Sequence, residues 1–205
     1  MRYSQQHKQQ TRQRVIAAAA RAFRAQGVAN VSIPTLMKQV GLTHGGFYAH
    51  FESKDALVAE ACASGQGETV KQLFRAAEQA DPGKKLQAIL DTYLTPAHRD
   101  NPASGCTIPA LAAEIAREPA EVRHAFTQSI RALLARLKPL MPDCGIDATD
   151  EPTNEPTDET LALLSGMAGA VLLARAVDDP ALSDRILDAA HTFYSRAFTS
   201  APTTR

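Results

Sequence analysis

The sequence predicts an all-α protein in which a three-helix N-terminal domain, residues 1–52, precedes a larger helical body, residues 53–205, with about nine helices in total. Apolar residues recur three and four positions apart through most of the chain, which is the period of a helix with one buried face. Proline and glycine separate these stretches, as is typical of helix ends. The composition, 44% hydrophobic with 5% aromatic residues and no tryptophan, suits closely packed helices with small side chains.

The first helix is expected from about Gln9 to Gln26, where Gly27 ends it. Residues 1–8 are expected to form a mobile basic arm. One stripe of this helix is apolar and should complete a small three-helix core with the two helices that follow; the stripe comprises Ile16, Ala19, Ala20 and Phe23.

The second helix is expected over residues 33–40, with apolar side chains on one face. Ser32 is suited to capping it, because a serine hydroxyl accepts a bond from the backbone N–H groups of the first turn. Pro34 fits that turn, where its missing N–H would be unpaired anyway. Gly41 should end the helix in the left-handed conformation that glycine adopts without steric cost.

A third, short helix should follow from His44 to about His50, with Thr43 as its cap. Two short helices joined by a glycine turn make a helix-turn-helix, whose second helix enters the major groove of DNA. The apolar residues that should be buried between them are Leu36, Val40, Leu42 and Phe47.

Gly45 and Gly46 open the third helix, although each costs roughly 1 kcal/mol relative to alanine in a helix. Close approach of the backbone to another surface would explain them. The polar side chains around them suit phosphates and base edges: Thr43, His44, Tyr48 and His50. An ordinary αα-hairpin inside a helical bundle is the alternative interpretation of the same pattern.

Charge is divided unevenly along the chain. Residues 1–50 hold seven basic residues and no Asp or Glu, whereas residues 51–205 hold 15 basic and 22 acidic residues. A net charge of zero therefore combines a basic head with an acidic body. A field of one sign on the segment that carries the hairpin favours binding of a polyanion such as DNA.

Residues 9–60, and especially GVANVSIPTLMKQVGLTHGGFYAHFESKDAL, resemble the N-terminal domain of the TetR family of bacterial transcriptional repressors. Met37 departs from the family pattern, which usually has a small residue there. The resemblance implies a homodimer on a palindromic double-stranded DNA operator, and it raises Lys54 as a phosphate contact beside a helix N-terminus. The expected DNA-binding residues are Ser32, Thr43, His44, Gly45, Gly46, Tyr48, His50 and Lys54.

Six further helices are expected in the body. They should cover residues 53–77 with Ser53 as cap, 82–94 with Asp81 as cap, 108–117, 119–137, 160–177 and 183–199. A connector broken by proline and glycine is expected at residues 95–107, and an acidic loop with little fixed structure at residues 142–159.

Small residues cluster in the middle of the helix over residues 160–177, around Gly169. They would let another backbone approach closely, so the last two helices could form a four-helix bundle with a second copy of the chain. Burial inside one subunit is the alternative.

A small-molecule effector is expected to bind in the body, with Tyr93, Phe126 and Met167 as candidate lining residues, for each of which core packing is the alternative. Cys106 follows a glycine and precedes a helix, where the helix dipole favours a thiolate. SGCTIPALAAE is similar to segments of TetR-type repressors that respond to electrophiles and oxidants, which makes Cys106 a candidate sensor. A buried packing thiol is the alternative, and Cys62 and Cys144 are weaker candidates.

No GxSxG, HExxH or CxxC motif occurs, so the sequence indicates no catalytic residues, no metal site and no cofactor. The alternative function is a thiol-dependent enzyme or redox protein that uses Cys106 with His98. Three widely spaced cysteines and the lack of an apolar run of 18 residues or a secretory h-region favour a cytoplasmic location without a membrane partner.

Overall fold

A computed structural model describes residues 5–64, 67–141 and 155–199, and every regular element in them is helical. The ten α-helices within these ranges are α1 (Gln5–Gln26), α2 (Ile33–Gln39), α3 (Lys54–Ala63), α4 (Glu68–Gln79), α5 (Lys85–Tyr93), α6 (Pro96–Asp100), α7 (Thr107–Ile115), α8 (Ala120–Leu137), α9 (Asp158–Ala176) and α10 (Pro180–Thr199). Short 3₁₀ segments cover His44–Ala49, Pro82–Lys84, Pro102–Ser104 and Lys138–Leu140. The all-α prediction is confirmed.

The chain divides into two compact units. The N-terminal unit consists of Met1–Glu68 and Asn101–Ser129, and the C-terminal unit consists of Thr69–Asp100 and Ile130–Arg205. The N-terminal unit therefore takes α7 and the first part of α8 in addition to α1–α3. The functional division after residue 52 stays a prediction.

One hydrophobic core holds the N-terminal unit together. α1 contributes the expected apolar stripe, of which Phe23 is 1% exposed, and the loop and helices that follow add Leu36, Met37 and Phe47, each 0–1% exposed. Leu111 and Ile115 of α7 belong to the same core. Burial of this kind stabilises by about 1.5–3 kcal/mol per large side chain, so α7 is an integral part of the domain that carries the hairpin.

The N-terminal boundary differs from the expectation. α1 begins at Gln5, so the prediction of a mobile arm is wrong for residues 5–8, and residues 1–4 lie outside the described residues. Glutamine and lysine are good helix formers, and the segment before Gln9 contains no proline or glycine to stop the helix.

The single helix expected over residues 53–77 is wrong, because α3 ends at Ala63 and α4 begins at Glu68. At Gly67 the backbone lies so close to Ser104 and Gly105 that a Cβ atom would overlap their carbonyl oxygens. Only a residue without a side chain permits that approach, and the helix is interrupted where it occurs.

Capping residues were predicted for two helices of the body, and both occupy the N-cap position, although only one makes a side-chain capping bond. The Ser53 hydroxyl accepts a bond from Ala56 N at 3.0 Å, so it caps α3 as expected. Asp81 is the N-cap of the 3₁₀ segment Pro82–Lys84 that leads into α5, as expected, but its carboxylate makes no capping bond and instead binds Lys84 Nζ at 2.9 Å. The connector over residues 95–107 also contains the short helix α6, which proline does not prevent because Pro96 occupies its first position.

α9 is long and apolar enough, by length and composition, to cross a membrane, although no run of that kind was expected. Core helices pass the same test, and α9 buries eight of its residues, including Leu163 and Met167. α9 and α10 pack against each other: a Cβ atom at Gly166 would overlap the Tyr194 hydroxyl. Most of the acidic loop, with Cys144, lies outside the described residues.

Candidate nucleic-acid interface and effector region

The hairpin forms as its sequence predicts. The Ser32 hydroxyl accepts a bond from Thr35 N at 3.3 Å and caps α2. Gly41 has φ +74°, the left-handed conformation, and Leu42 N then donates to Met37 O at 2.9 Å. Met37 is fully buried and its methyl group lies beside Gly46, so the bulky residue at this position is accommodated within the turn.

The second half of the hairpin is a 3₁₀ segment, His44–Ala49, which we call the reading segment. Its cap is Thr43, whose hydroxyl accepts from Gly46 N at 3.2 Å, and the segment ends with a bond from His50 N to Phe47 O at 2.9 Å. The i to i+3 bonding pattern is tighter than that of an α-helix and is used in short pieces. Two consecutive glycines favour such an irregular segment over a full α-helix.

Phe47 and Tyr48 show which side of the reading segment faces inward. Phe47 is 1% exposed, whereas Tyr48 is 66% exposed with its ring edge-on to Phe47 at 5.3 Å between centroids. Thr43, His44 and Gly45 are exposed as well, and a Cβ atom at Gly45 would meet nothing within 4 Å. The fold itself therefore does not require glycine at 45, and its contact with DNA stays a prediction.

His50 differs from the other polar residues of the hairpin. It is half-buried, and its Nδ1 atom has no hydrogen-bond partner within the described residues. Desolvation lowers the pKa of His50, and the positive charges of Lys8 and Arg12 lower it further. A neutral imidazole is a weaker phosphate ligand than an imidazolium, and the role of His50 in DNA binding stays a prediction.

Lys54 has a bond that the sequence did not indicate. Its ammonium group donates to Val28 O at 2.6 Å, in the loop between α1 and α2. An ammonium group has three donors, so this bond leaves the predicted phosphate contact open. Lys54 thus also fixes the backbone that precedes the hairpin.

Sequence reasoning missed Arg12. Its guanidinium binds the carboxylate of Glu60 through both Nη atoms, lies 4.7 Å from the centroid of the Phe51 ring, and donates from Nε to His50 O at 3.3 Å. These contacts hold α1, α3 and the end of the reading segment together. Glu60 is 48 positions away, and no local pattern marks the pair.

Arg14 and Arg24 also donate hydrogen bonds to backbone carbonyl groups of the protein itself. Arg14 donates to Val40 O at 3.0 Å, at the end of α2. Arg24 is 7% exposed and donates twice to Ala103 O, at 3.0 and 2.8 Å. Outward positive charge is also supplied by other exposed cations of the described head, which are Lys8, Arg21 and Lys38.

Cys106 lies at the start of α7, as predicted, but it is only 2% exposed. The cation beside it is Arg24: burial lowers the pKa of Arg24, and the interaction with Cys106 opposes that shift. Arg99, seven positions before Cys106 in the sequence, instead donates to Asp100 and Asp184, at 2.7 and 2.6 Å. Burial makes Cys106 hard for a reagent to reach, so its role as a sensor stays a prediction.

Cys62 is 1% exposed, and its environment disfavours a thiolate. Desolvation is the main cause that raises the pKa of Cys62 to about 11, and a smaller contribution from Glu118 is partly offset by Arg24. This agrees with the lower expectation for Cys62 as a reactive thiol.

The three candidate lining residues are packed inside the protein or against its core. Tyr93 and Met167 are each 1% exposed in the C-terminal unit, and Phe126 packs against the core of the N-terminal unit. A cleft of about 360 Å³ in the C-terminal unit has other walls, which include Phe74, Lys85 and Arg136. A ligand-binding role for the three candidates therefore stays a prediction.

Two family models match this chain. The model for bacterial regulatory proteins of the tetR family matches residues 15–61, and the model for the tetracyclin repressor-like C-terminal domain matches residues 82–190. The regulator TtgR of Pseudomonas putida is 37% identical over 81 residues, which are 40% of this chain and 38% of TtgR. AcrR of Shigella flexneri is 39% identical over 59 residues, 29% of this chain and 27% of AcrR. These matches thus span well under half of the curated relatives.

Solved structures extend the similarity to the whole fold. A TetR transcriptional regulator from Chloroflexus aurantiacus J-10-FL superposes with a TM-score of 0.71 at 26% identity, covering 96% of this chain and 100% of that one. The reduced form of E. coli NemR gives a TM-score of 0.72 at 19% identity, covering 95% and 100%. Since the C-terminal family model alone spans more than half of the chain and the N-terminal model covers the hairpin, the protein belongs to the TetR family of bacterial transcriptional regulators.

Proposed function

We propose that this protein is a repressor that binds a palindromic DNA operator as a homodimer in the cytoplasm and is released by a small-molecule effector. The outward side of the reading segment carries the proposal. Thr43, His44 and Tyr48 are exposed, while Phe47 is buried and anchors the segment. Exposed donors and acceptors on a rigid short helix are what base-edge and phosphate recognition require.

The proposal of a homodimer is based on the exposed residues of α9 and α10. Large apolar side chains are exposed on both helices; they are Leu161, Leu172 and Leu173 of α9 and Leu182 and Phe193 of α10, each 41–64% exposed. Gly169 is half-buried one turn before Leu172 and Leu173, and a Cβ atom there would meet nothing within 4 Å. Exposed apolar side chains on both helices favour association, and a twofold symmetric partner presents the same side chains.

DNA binding is tested by a gel shift with the full chain and the segment upstream of its own gene, against unrelated DNA of the same length. A regulator should bind the upstream segment with higher affinity, and the relatives' names support a regulatory function. Equal affinity for both DNAs, or no shift, contradicts the proposal.

For the effector we infer a site in the helical body, and we retain Cys106 as a candidate for covalent sensing. A ligand can release DNA only by favouring a conformation whose two reading segments no longer fit their half-sites. Cys106 is close to Arg24 at the start of α7, which supports a reactive thiolate once reagent gains access.

The sensor proposal predicts an order of modification. With limiting N-ethylmaleimide, Cys106 should react before Cys62, because burial raises the pKa of Cys62 to about 11. Cys106→Ser should keep operator binding and lose release by electrophiles, while Cys62→Ser and Cys144→Ser should behave like the unmodified protein. Mass spectrometry gives the order, and Cys106 as the slowest thiol would make it a packing residue and the effector non-covalent.

A further inference from the structure

The loop between α1 and α2 is held by side chains from two distant elements. Val28 N donates to Glu114 Oε2 of α7 at 2.7 Å, and Lys54 Nζ of α3 donates to Val28 O at 2.6 Å. Ala29 N adds a longer bond of 3.4 Å to the same carboxylate oxygen. Both polar atoms of the Val28 backbone are therefore bound by charged groups, and such bonds are roughly twice as strong as neutral ones.

Stabilisation of α1 does not explain why the Glu114 carboxylate lies at this loop. Glu114 approaches the chain just past the C-terminal end of α1, where the helix dipole is negative and a cation would be favoured. Gly27, at φ +83°, also makes room for it, because a Cβ atom there would overlap the Glu114 carboxylate. The local geometry is thus arranged around this contact although its charge opposes the helix dipole.

The position of this loop sets the position of the hairpin. Val28 and Val31 are 4% and 5% exposed and belong to the core of the N-terminal unit. Ser32, the cap of α2, follows directly, and α2 packs in the same core as Phe47 of the reading segment. A shift at Val28 would therefore be carried through α2 to the reading segment.

We propose that Glu114 is a positioning residue for DNA binding: its carboxylate holds residues 28 and 29 so that α2 and the reading segment keep the orientation that fits an operator. The inference rests on the proposed DNA-binding function. It assigns to a residue of the body sequence, 86 positions from Val28, a role in operator recognition.

The test compares three full-length variants. Glu114→Ala removes the acceptor, Glu114→Gln keeps an amide oxygen that can accept the same two N–H bonds, and Glu121→Ala removes a carboxylate from the exposed first turn of α8 as the charge-matched control. Affinities are measured for operator and for random DNA, and amide hydrogen exchange is followed at residues 28–29 and 44–51.

Glu114→Ala should weaken operator binding by about tenfold, the scale of one lost hydrogen bond to a charged group, and should weaken random-DNA binding much less. The operator-to-random ratio is the decisive quantity, because simple destabilisation lowers both affinities by the same factor. Exchange should become faster at residues 28–29 and also in the reading segment. Glu114→Gln should restore most of the ratio, and Glu121→Ala should keep it.

An unchanged ratio in Glu114→Ala, or a Glu114→Gln variant as impaired as Glu114→Ala, overturns the inference. If the unmodified protein does not distinguish operator from random DNA, the proposed function fails instead. The exchange data then still decide the positioning role: unchanged exchange at residues 44–51 in Glu114→Ala refutes it, and faster exchange there supports it.

Discussion

The two units of the molecule expose different kinds of side chain. The N-terminal unit exposes polar groups on its reading segment, and the charged side chains of Lys54 and Glu114 bind its backbone at Val28. The C-terminal unit exposes leucines on α9 and buries polar groups inside, where His98 is 3% exposed. The first surface suits a polyanion and the second suits another apolar surface.

Polar side chains at the end of α6 form a cluster of hydrogen bonds in the C-terminal unit. Arg175 donates to the carbonyl oxygens of His98 and Arg99, both at 2.8 Å, which satisfies the end of the short helix α6. The Nδ1 atom of His98 lies 2.8 Å from Tyr93 O, and the centroids of the two rings are 4.4 Å apart. Arginine side chains therefore bind backbone carbonyl groups in both units, since Arg24 does the same at Ala103 in the N-terminal unit. The units differ in the surfaces that they expose.

The largest effect is expected from a charge introduced among the exposed apolar side chains of α9. Gly169→Glu places a charge beside the exposed leucines of α9, and burying it unpaired in the dimer costs about 3–5 kcal/mol. Sedimentation should then show monomers, with operator binding weakened about a hundredfold or more. Ala132→Glu, at an exposed position of α8, is the control and should stay dimeric. A dimeric Gly169→Glu variant would show that this face is not the interface.

The second prediction concerns the effect of pH on the stability of the C-terminal unit through its buried His98. Burial lowers the pKa of His98 to about 4, below its ordinary value of 6.5. The unfolded chain therefore binds more protons between these values, so stability falls as pH decreases from about 6.5 to 4, by at most about 3 kcal/mol. Urea unfolding of wild type and His98→Gln across this range measures it. An identical pH dependence in both proteins would mean that His98 is not held neutral.

The third prediction concerns base recognition by the exposed surface. His44→Ala should change the free energy of operator binding by roughly 1–3 kcal/mol at one base position per half-site, because one base-edge contact is lost. Selection from a randomised operator library measures this preference. If the selected sequences match those of the unmodified protein, His44 does not contact a base.

The smallest effect distinguishes phosphate contacts from structural ones. Tyr48→Phe should weaken binding to operator and random DNA by similar factors, and Lys54→Ala should lower the salt slope by about one unit. Because Lys54 also binds Val28 O, Lys54→Ala should lower the melting temperature, whereas Tyr48→Phe should not. A lower melting temperature with an unchanged salt slope would assign Lys54 to the fold alone.

The sequence by itself determined the features that depend on near neighbours in the chain. The caps Ser32, Thr43 and Ser53 and the left-handed turn at Gly41 were all predictable, since each is a contact within about four residues. The all-α class followed from periodicity, which is also a local property. The family resemblance added the DNA-binding interpretation of the same hairpin.

Tertiary structure alone decided which distant residues meet. Nothing near Arg12 marks Glu60 as its partner, and nothing near Val28 marks Glu114, because each pair joins elements whose faces are brought together only by the common core. Helix packing also gives two glycines of α9 different surroundings: Gly166 lies against Tyr194, while Gly169 faces open space. Identical local chemistry has different consequences there because helix packing, and not the sequence around each residue, determines what lies opposite.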